Sequence, residues 1–443
     1  MTKEDRYIRR RLRQARRQAR AFYRCRTYPI DRHKIVFCNI EGTVGYGCNP
    51  KYICEELRRR NALRRARGEQ PYDLVWLVDD ASLPFPDDVR VVSNTLAHRA
   101  YELSTAAVWV DNSRKQLEVR KRPGQFYVQT WHASLSPKPI GLQRGASFSK
   151  IAYLVSKHDA DMTDLVLTNS RWMEDVVLHD GLLYDGAYVR TGSPRNDILV
   201  NDRTECRRRL RQNYGIPDGT QLLMYAPTFR SGSQGTVRSI EKNNKMPDFE
   251  ALCQALHDGL GGTWKILLRL HPQLTARHIT GGVTSENVID VSGEADMFET
   301  LAACDALLTD YSATMFDAAF MHVPVFLYAY DLQAYIAERG QLLWPDLEGL
   351  PFPVAQTEES LLAAIREFDP APYQESLEAF LQEAELREDG HSAERAADVI
   401  EEHLARGRSS KPCAGVNAPF AHSVQSSPSA CTISQETSSI LRS

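Results

Sequence analysis

The sequence predicts an α/β protein of two Rossmann-like domains facing a cleft, and three observations carry that prediction. Short apolar runs alternate with helical stretches, the pattern of parallel strands joined by crossovers. The alternation falls into two series, separated by the turn Gly192-Ser193-Pro194 and the basic stretch 203–214. Several strands run into hydroxyl or cationic residues, at the end of an open parallel sheet where ligands bind. A chain of 443 residues accommodates two such units of about 200 residues each.

The first element is a basic helix. Over residues 3–26, Tyr7, Ile8, Leu12, Ala15, Ala19 and Phe22 fall on one stripe, while eleven Lys and Arg stand against only Glu4 and Asp5. The whole chain is different, with 54 basic and 57 acidic residues and a net charge of -3. Residues 1–30 therefore read as a basic amphipathic segment that needs an acidic counterpart. An anionic membrane surface suits it through residues 3–26; a solvated helix and a phosphate-binding arm are the competing readings. No specific nucleic acid is expected as a partner.

The first strand–helix series occupies 31–195. Strands are expected at 35–39, 74–78, 89–92, 107–110, 126–129, 164–168 and 187–191, with helices at 50–61 and near 98–103. A second series over 196–405 begins with the basic helix Arg203 to Tyr214. It continues with strands at 221–226, 264–270, 287–291, 305–309 and 324–328, and with helices between them such as 248–259. The polar loop after Phe229 has nothing to pack, which suits a surface connection or a mobile lid. Residues 406–443 are rich in Ser, Pro and Ala and read as a disordered tail.

Chemistry concentrates at the strand ends. Leu307-Leu308-Thr309-Asp310-Tyr311-Ser312-Ala313-Thr314 is an apolar strand entering a hydroxyl-rich turn and then a helix. The free N–H groups of that helix start and the hydroxyls of Thr309, Ser312 and Thr314 suit a phosphate, though a plain N-cap has the same composition. Two further strands end near Arg230 and at Arg269 and His271, and these cations with the turn after Asp310 suit a diphosphate. A fourth strand, Phe126 to Gln129, is followed by Thr130-Trp131-His132, which places a histidine to act as a base.

These segments resemble the CDP-glycerol glycerophosphotransferases of teichoic acid and capsule polymer synthesis. The resemblance rests on Gln129-Thr130-Trp131-His132, Gly192-Ser193-Pro194-Arg195-Asn196-Asp197, Ala226-Pro227-Thr228-Phe229-Arg230, Arg269-Leu270-His271-Pro272 and Thr309-Asp310-Tyr311-Ser312, in that order. Glu41-Gly42 with Gly45-Tyr46 and Asn49 to Ile53 resembles the family's first loop, and Asp389-Gly390 with Ala393-Glu394-Arg395 its closing helix. One departure is visible: the family usually continues from the histidine with Gly-Thr-Pro, where this chain has Ala133-Ser134-Leu135.

The resemblance implies a glycosyltransferase-B fold and transfer of glycerol phosphate from CDP-glycerol to a lipid-linked or polymeric acceptor, with release of CMP. It implies an N-terminal acceptor domain and a C-terminal CDP-donor domain. His132 and His271 are then catalytic, and Arg230, Arg269, Thr309, Ser312, Ala313 and Thr314 bind the donor diphosphate. Asp310, Gly42 and Arg195 would support the site. A CDP-ribitol transferase and a nucleotide-sugar glycosyltransferase of the same fold remain alternatives, as does a nucleic-acid-binding protein.

Neither a metal nor another cofactor is expected. The chain has no HExxH and no Walker motif, and Asp159-Ala160-Asp161 lies in a helical segment. Nine scattered cysteines without a CxxC pair suit a reducing compartment. With no long apolar run, the expected location is cytoplasmic, peripheral on the inner face of the cell membrane.

Overall fold

The computed structural model describes residues 2–228, 246–270, 285–340, 342, 347–386 and 388–406. Arg230, the polar loop after Phe229, His271 and the expected disordered tail from 407 lie outside the described residues.

The first half is a seven-stranded sheet: β1 (Asp31–Cys38), β2 (Asp73–Val78), β3 (Arg90–Ser93), β4 (Ala106–Asp111), β5 (Phe126–Gln129), β6 (Leu165–Thr168) and β7 (Tyr188–Arg190), in the order β3-β2-β1-β4-β5-β6-β7. Adjacent strands are parallel, and Val36 of β1 pairs with Val75 on one side and Trp109 on the other. Side chains alternate between the faces, so Ile35 and Phe37 enter one core while Val36 and Cys38 enter the other. Burial on both faces explains why these strands are continuously apolar. Helices cover each side: α1 (Lys3–Cys25) and α3 (Leu96–Thr105) on one, α2 (Cys48–Ala66) on the other.

The expected basic helix is α1, which begins with a capping box between Thr2 and Asp5. Its apolar stripe is docked: Ala15, Ala19 and Phe22 are buried, and Phe22 packs with Ala100 and Leu103 of α3.

The second half is a six-stranded parallel sheet. Its strands are β8 (Thr220–Tyr225), β9 (Thr263–Leu268), β10 (Val288–Asp290), β11 (Ala306–Thr309), β12 (Val325–Tyr328) and β13 (Val354–Ala355), in the order β10-β9-β8-β11-β12-β13. Its helices include α6 (Arg203–Tyr214), α7 (Phe249–Leu260), α8 (Met297–Ala302), α9 (Thr314–Ala319) and α11 (Glu358–Arg366), after the short α4 (Lys150–Ala160) and α5 (Asp197–Asn201) and with α10 (Leu332–Arg339) between the last two. Both sheets thus run outward in both directions from a central pair, β1/β4 and β8/β11. That pair is the switch point where an open α/β sheet has its crevice.

After α12 (Pro370–Glu383) the chain crosses back. Helix α13 (Ser392–Arg406) buries Ala396, Ala397, Ile400 and Leu404 in the core of the first sheet, against Ile53 and Leu57. The segment assigned to the second half on sequence order alone therefore ends in the first, because the apolar stripe of α13 is completed by β1 and α2. Asp197 fixes the crossing by accepting hydrogen bonds from the first amides of α13, Ser392 N at 2.9 Å and Ala393 N at 2.7 Å. Both sheets belong to one compact unit that extends through Leu404.

Candidate active site

His132 stands just beyond β5. Trp131 adopts a left-handed backbone, φ 52°, which turns the chain sharply and sends the next side chain out of the sheet. Buried Gln129 holds this turn, accepting from Trp131 N at 3.0 Å and donating through Nε2 to Ser113 O at 3.1 Å. His132 Nδ1 lies 2.8 Å from the carbonyl oxygen of Asn112. A carbonyl only accepts, so Nδ1 carries a hydrogen, and in the neutral ring Nε2 is the nitrogen that keeps its lone pair.

The ring reaches solvent in the cleft, yet protein surrounds it on the other sides. Burial lowers its pKa to about 4 against the opposing Asn112 hydrogen bond, and Arg195 and Arg114 add to the depression. Water in the cleft moderates the size of the effect and leaves its direction, a neutral imidazole at pH 7.

The ends of β1 and β4 build the surroundings. Ile40 and Glu41 have positive φ, 44° and 59°, and are pinned by Asn112 Oδ1 on Ile40 N and Ser113 Oγ on Glu41 N, both at 2.8 Å. Gly42 follows at φ 90°, where a Cβ would fall 2.5 Å from Asn94 Nδ2. Glycine is required there by conformation and space. Behind this loop, buried Asp111 pairs with Lys115, whose backbone N donates to Asp159 at 2.7 Å. Asp159 also accepts from Tyr127 OH at 2.9 Å, and burial raises its pKa to about 6.

In the second half, Thr309 is fully buried and donates its hydroxyl to Ala226 O at 2.7 Å. Asp310 accepts from Thr228 N at 3.0 Å on each oxygen, from the Thr228 hydroxyl at 2.5 Å and from Tyr311 N at 2.6 Å. These two residues thus hold the ends of β8 and β11 together. Ser312 and Thr314 share a hydroxyl contact of 2.9 Å at the start of α9, with Ala313 as its cap residue. Arg269 follows β9 and donates to Val291 O at 2.6 Å. Burial lowers its pKa, and among the described residues no carboxylate forms an ion pair with it.

Arg195 joins the halves. Only 3% exposed, it donates to the backbone oxygen of His132 and, at 2.8 and 3.2 Å, to both oxygens of Asp317 in α9. Ser134 Oγ reaches the same carboxylate at 3.4 Å. The hydroxyl at the family-departing position therefore belongs to the link between the histidine loop and α9. Lys51 and Tyr52 of α2 make a second link, reaching Asp296 at 2.6 and 2.8 Å.

The structure thus gathers His132, Gly42 and Arg195 on the first half, and gathers Thr309 to Thr314 and Arg269 at the strand ends of the second. Asn112, Asp317, Glu41 and Arg114 are additional residues of this region. No sequence signal marks Asn112, whose main-chain oxygen does the work, while Asp317 reads as an ordinary helix residue. Among the described residues no cluster of three or more His, Cys, Asp or Glu could hold a metal ion, and no helix is long and apolar enough to cross a membrane.

Compared with known proteins, residues 20–402 match the CDP-glycerol:poly(glycerophosphate) glycerophosphotransferase family. A teichoic acid poly(glycerol phosphate) polymerase of Staphylococcus epidermidis is 26% identical over 386 residues, 84% of this chain and 50% of that protein. A teichoic acid glycerol-phosphate transferase of Staphylococcus aureus is 30% identical over 308 residues, 67% of this chain and 76% of that one. The chain therefore spans only half the length of the first of these relatives. Among solved structures, the wall teichoic acid polymerase TagF soaked with CDPG superposes with a TM-score of 0.71 at 26% identity, covering 86% of this chain and 91% of that one.

Proposed function

The chain belongs to the CDP-glycerol:poly(glycerophosphate) glycerophosphotransferase family, and on that premise we propose that it transfers glycerol phosphate from CDP-glycerol to a hydroxyl of a lipid-linked glycerophosphate polymer, releasing CMP. The acceptor oxygen attacks the phosphorus that carries glycerol. Its proton passes to Nε2 of His132, the bond from that phosphorus to the bridging oxygen breaks, and CMP leaves with the electron pair.

The single observation that carries this reading is the His132–Asn112 hydrogen bond, which places the hydrogen of the neutral ring on Nδ1 and so makes Nε2 its basic nitrogen. On the donor side, Arg269, Ser312, Thr314 and the amides beginning at Ala313 are proposed to hold the diphosphate, with Thr309 and Asp310 shaping the turn. The partly buried guanidinium of Arg269, without a carboxylate partner among the described residues, supports that role, since a buried cation calls for an anion. Arg230 and His271 are proposed to complete the donor site, with His271 stabilising the leaving phosphate. Gly42 and Arg195 position the histidine loop. The arginines exposed along α1 support reversible docking on an anionic membrane, at the cytoplasmic face where a lipid-linked acceptor would be met.

The test is CMP release with a lipid-linked glycerophosphate acceptor, offering CDP-glycerol, CDP-ribitol and UDP-glucose separately. Acceptor-dependent CMP from CDP-glycerol is expected; turnover of CDP-ribitol alone would replace the donor, and UDP release would replace the reaction class.

A further inference from the structure

A cavity of about 370 Å³ opens beside His132, lined by residues of α1, α4 and the loops after β1, β4 and β5. Two guanidiniums face it. Arg114 donates to Gly181 O at 2.6 Å, and its Nε is buried without a hydrogen-bond partner. Arg11 of α1 is also partly buried with Nε unpartnered. Neither forms an ion pair among the described residues, whereas the buried cations Lys51, Lys115 and Arg195 each have a carboxylate. Two half-buried cations on one cavity, each with donors left over, are an anion site in waiting.

The cavity is tied to the reacting centre by Trp131. His132 packs against that indole at 4.3 Å between centroids with the rings tilted by 36°, and the Arg114 guanidinium lies 5.0 Å from the same ring centre. The remaining wall is mixed. Glu41 supplies a carboxylate, which accepts from Gln116 at 2.7 Å, and Ile151 and Val155 supply an apolar side. A phosphate alone would find Glu41 repulsive. A phosphodiester carrying a polyol suits all three surfaces, with the anion on the arginines, hydroxyls on the carboxylate and methylenes on the aliphatic wall.

We propose that this cavity is the acceptor subsite, and that Arg114 and Arg11 bind the last phosphodiester of a glycerophosphate chain so that its terminal hydroxyl reaches His132. The proposal rests on the function inferred above and adds how the acceptor is recognised. In such a chain the free hydroxyl and the preceding phosphate sit on the same glycerol unit, so a hydroxyl at His132 places the phosphate one glycerol away. The basic helix thereby has two functions: exposed arginines face outward, while Arg11 on its inner side forms part of the site.

The probe is glycerophosphoglycerol, the shortest diester ending in a free glycerol, titrated calorimetrically into the full chain without any donor. Parent protein and the control Arg65→Gln, at an exposed position of α2, should bind it equally. Arg114→Gln and Arg11→Gln should each bind roughly tenfold more weakly, the loss expected for a charge-assisted contact, and free glycerol should bind more weakly than the diester. Undiminished binding in both variants, equal binding of glycerol, or no binding by the parent at millimolar probe would overturn the proposal. If Arg114→Gln unfolds, Arg11→Gln on the surface helix still decides the matter. The titration contains no CDP-glycerol, so its failure would leave donor turnover intact, and failed turnover would leave the titration result standing.

Discussion

Asp317 is a small residue with a large structural consequence. Its carboxylate, 2% exposed, faces the guanidinium of Arg195, which in turn holds the His132 backbone. Removing the charge by Asp317→Asn leaves a buried cation with its compensation reduced. A stability loss of about 3–5 kcal/mol is expected, as for other broken buried pairs, seen as a lower denaturant midpoint at unchanged m. A loss below about 0.5 kcal/mol, the range of ordinary surface substitutions, would show that the pair is not the joint described. At this scale the sequence is legible where chemistry and strand position coincide. His132 follows an apolar strand and can be singled out from that alone. Its partners cannot, because Asn112 lies 20 positions away and acts through its main chain, while Asp317 lies 122 positions from Arg195. Asp310 is expected only as support for the site, and its oxygens accept from Thr228 and Tyr311, which shapes the turn.

Among the elements, α1 is the one whose two sides carry different predictions. Phe22, Ala19 and Ala15 dock one side, whereas Arg9, Arg13 and Arg20 are exposed on the other. Replacing those three arginines by glutamine should weaken sedimentation with anionic vesicles by about 1 kcal/mol per residue before screening. The parent should also lose binding as salt rises and ignore neutral vesicles. Equal binding by the triple variant, or salt-independent binding to neutral vesicles, would remove the membrane role. Strongly periodic elements are legible: β5 and α6 occupy the expected 126–129 and 203–214. Two others are not. The π-helical segment Met173–Leu182 follows a period that amphipathic templates do not contain, and β13 has only two residues, too few to show alternation.

On the scale of the whole molecule, the two sheets repeat one strand order, and among the described residues His132, Arg269 and Thr309 to Thr314, proposed for catalysis and donor binding, lie at or just beyond strand ends. Strand and helix alternation makes the two-domain architecture legible, since parallel strands need crossovers. The return of α13 to the first sheet is not legible, because its apolar stripe fits either half and only the packing of Ala397 and Ile400 decides. The measurement that tests the central claim most directly compares the parent with His132→Gln, following CMP release from CDP-glycerol with acceptor while recording CDP-glycerol affinity. Loss of turnover by about 10²–10⁴-fold, the span of a general base, with donor affinity unchanged, is the predicted result. Turnover near the parent's rate would contradict His132 as the base, and loss of donor affinity in parallel would contradict the separation of acceptor chemistry from donor binding across the cleft.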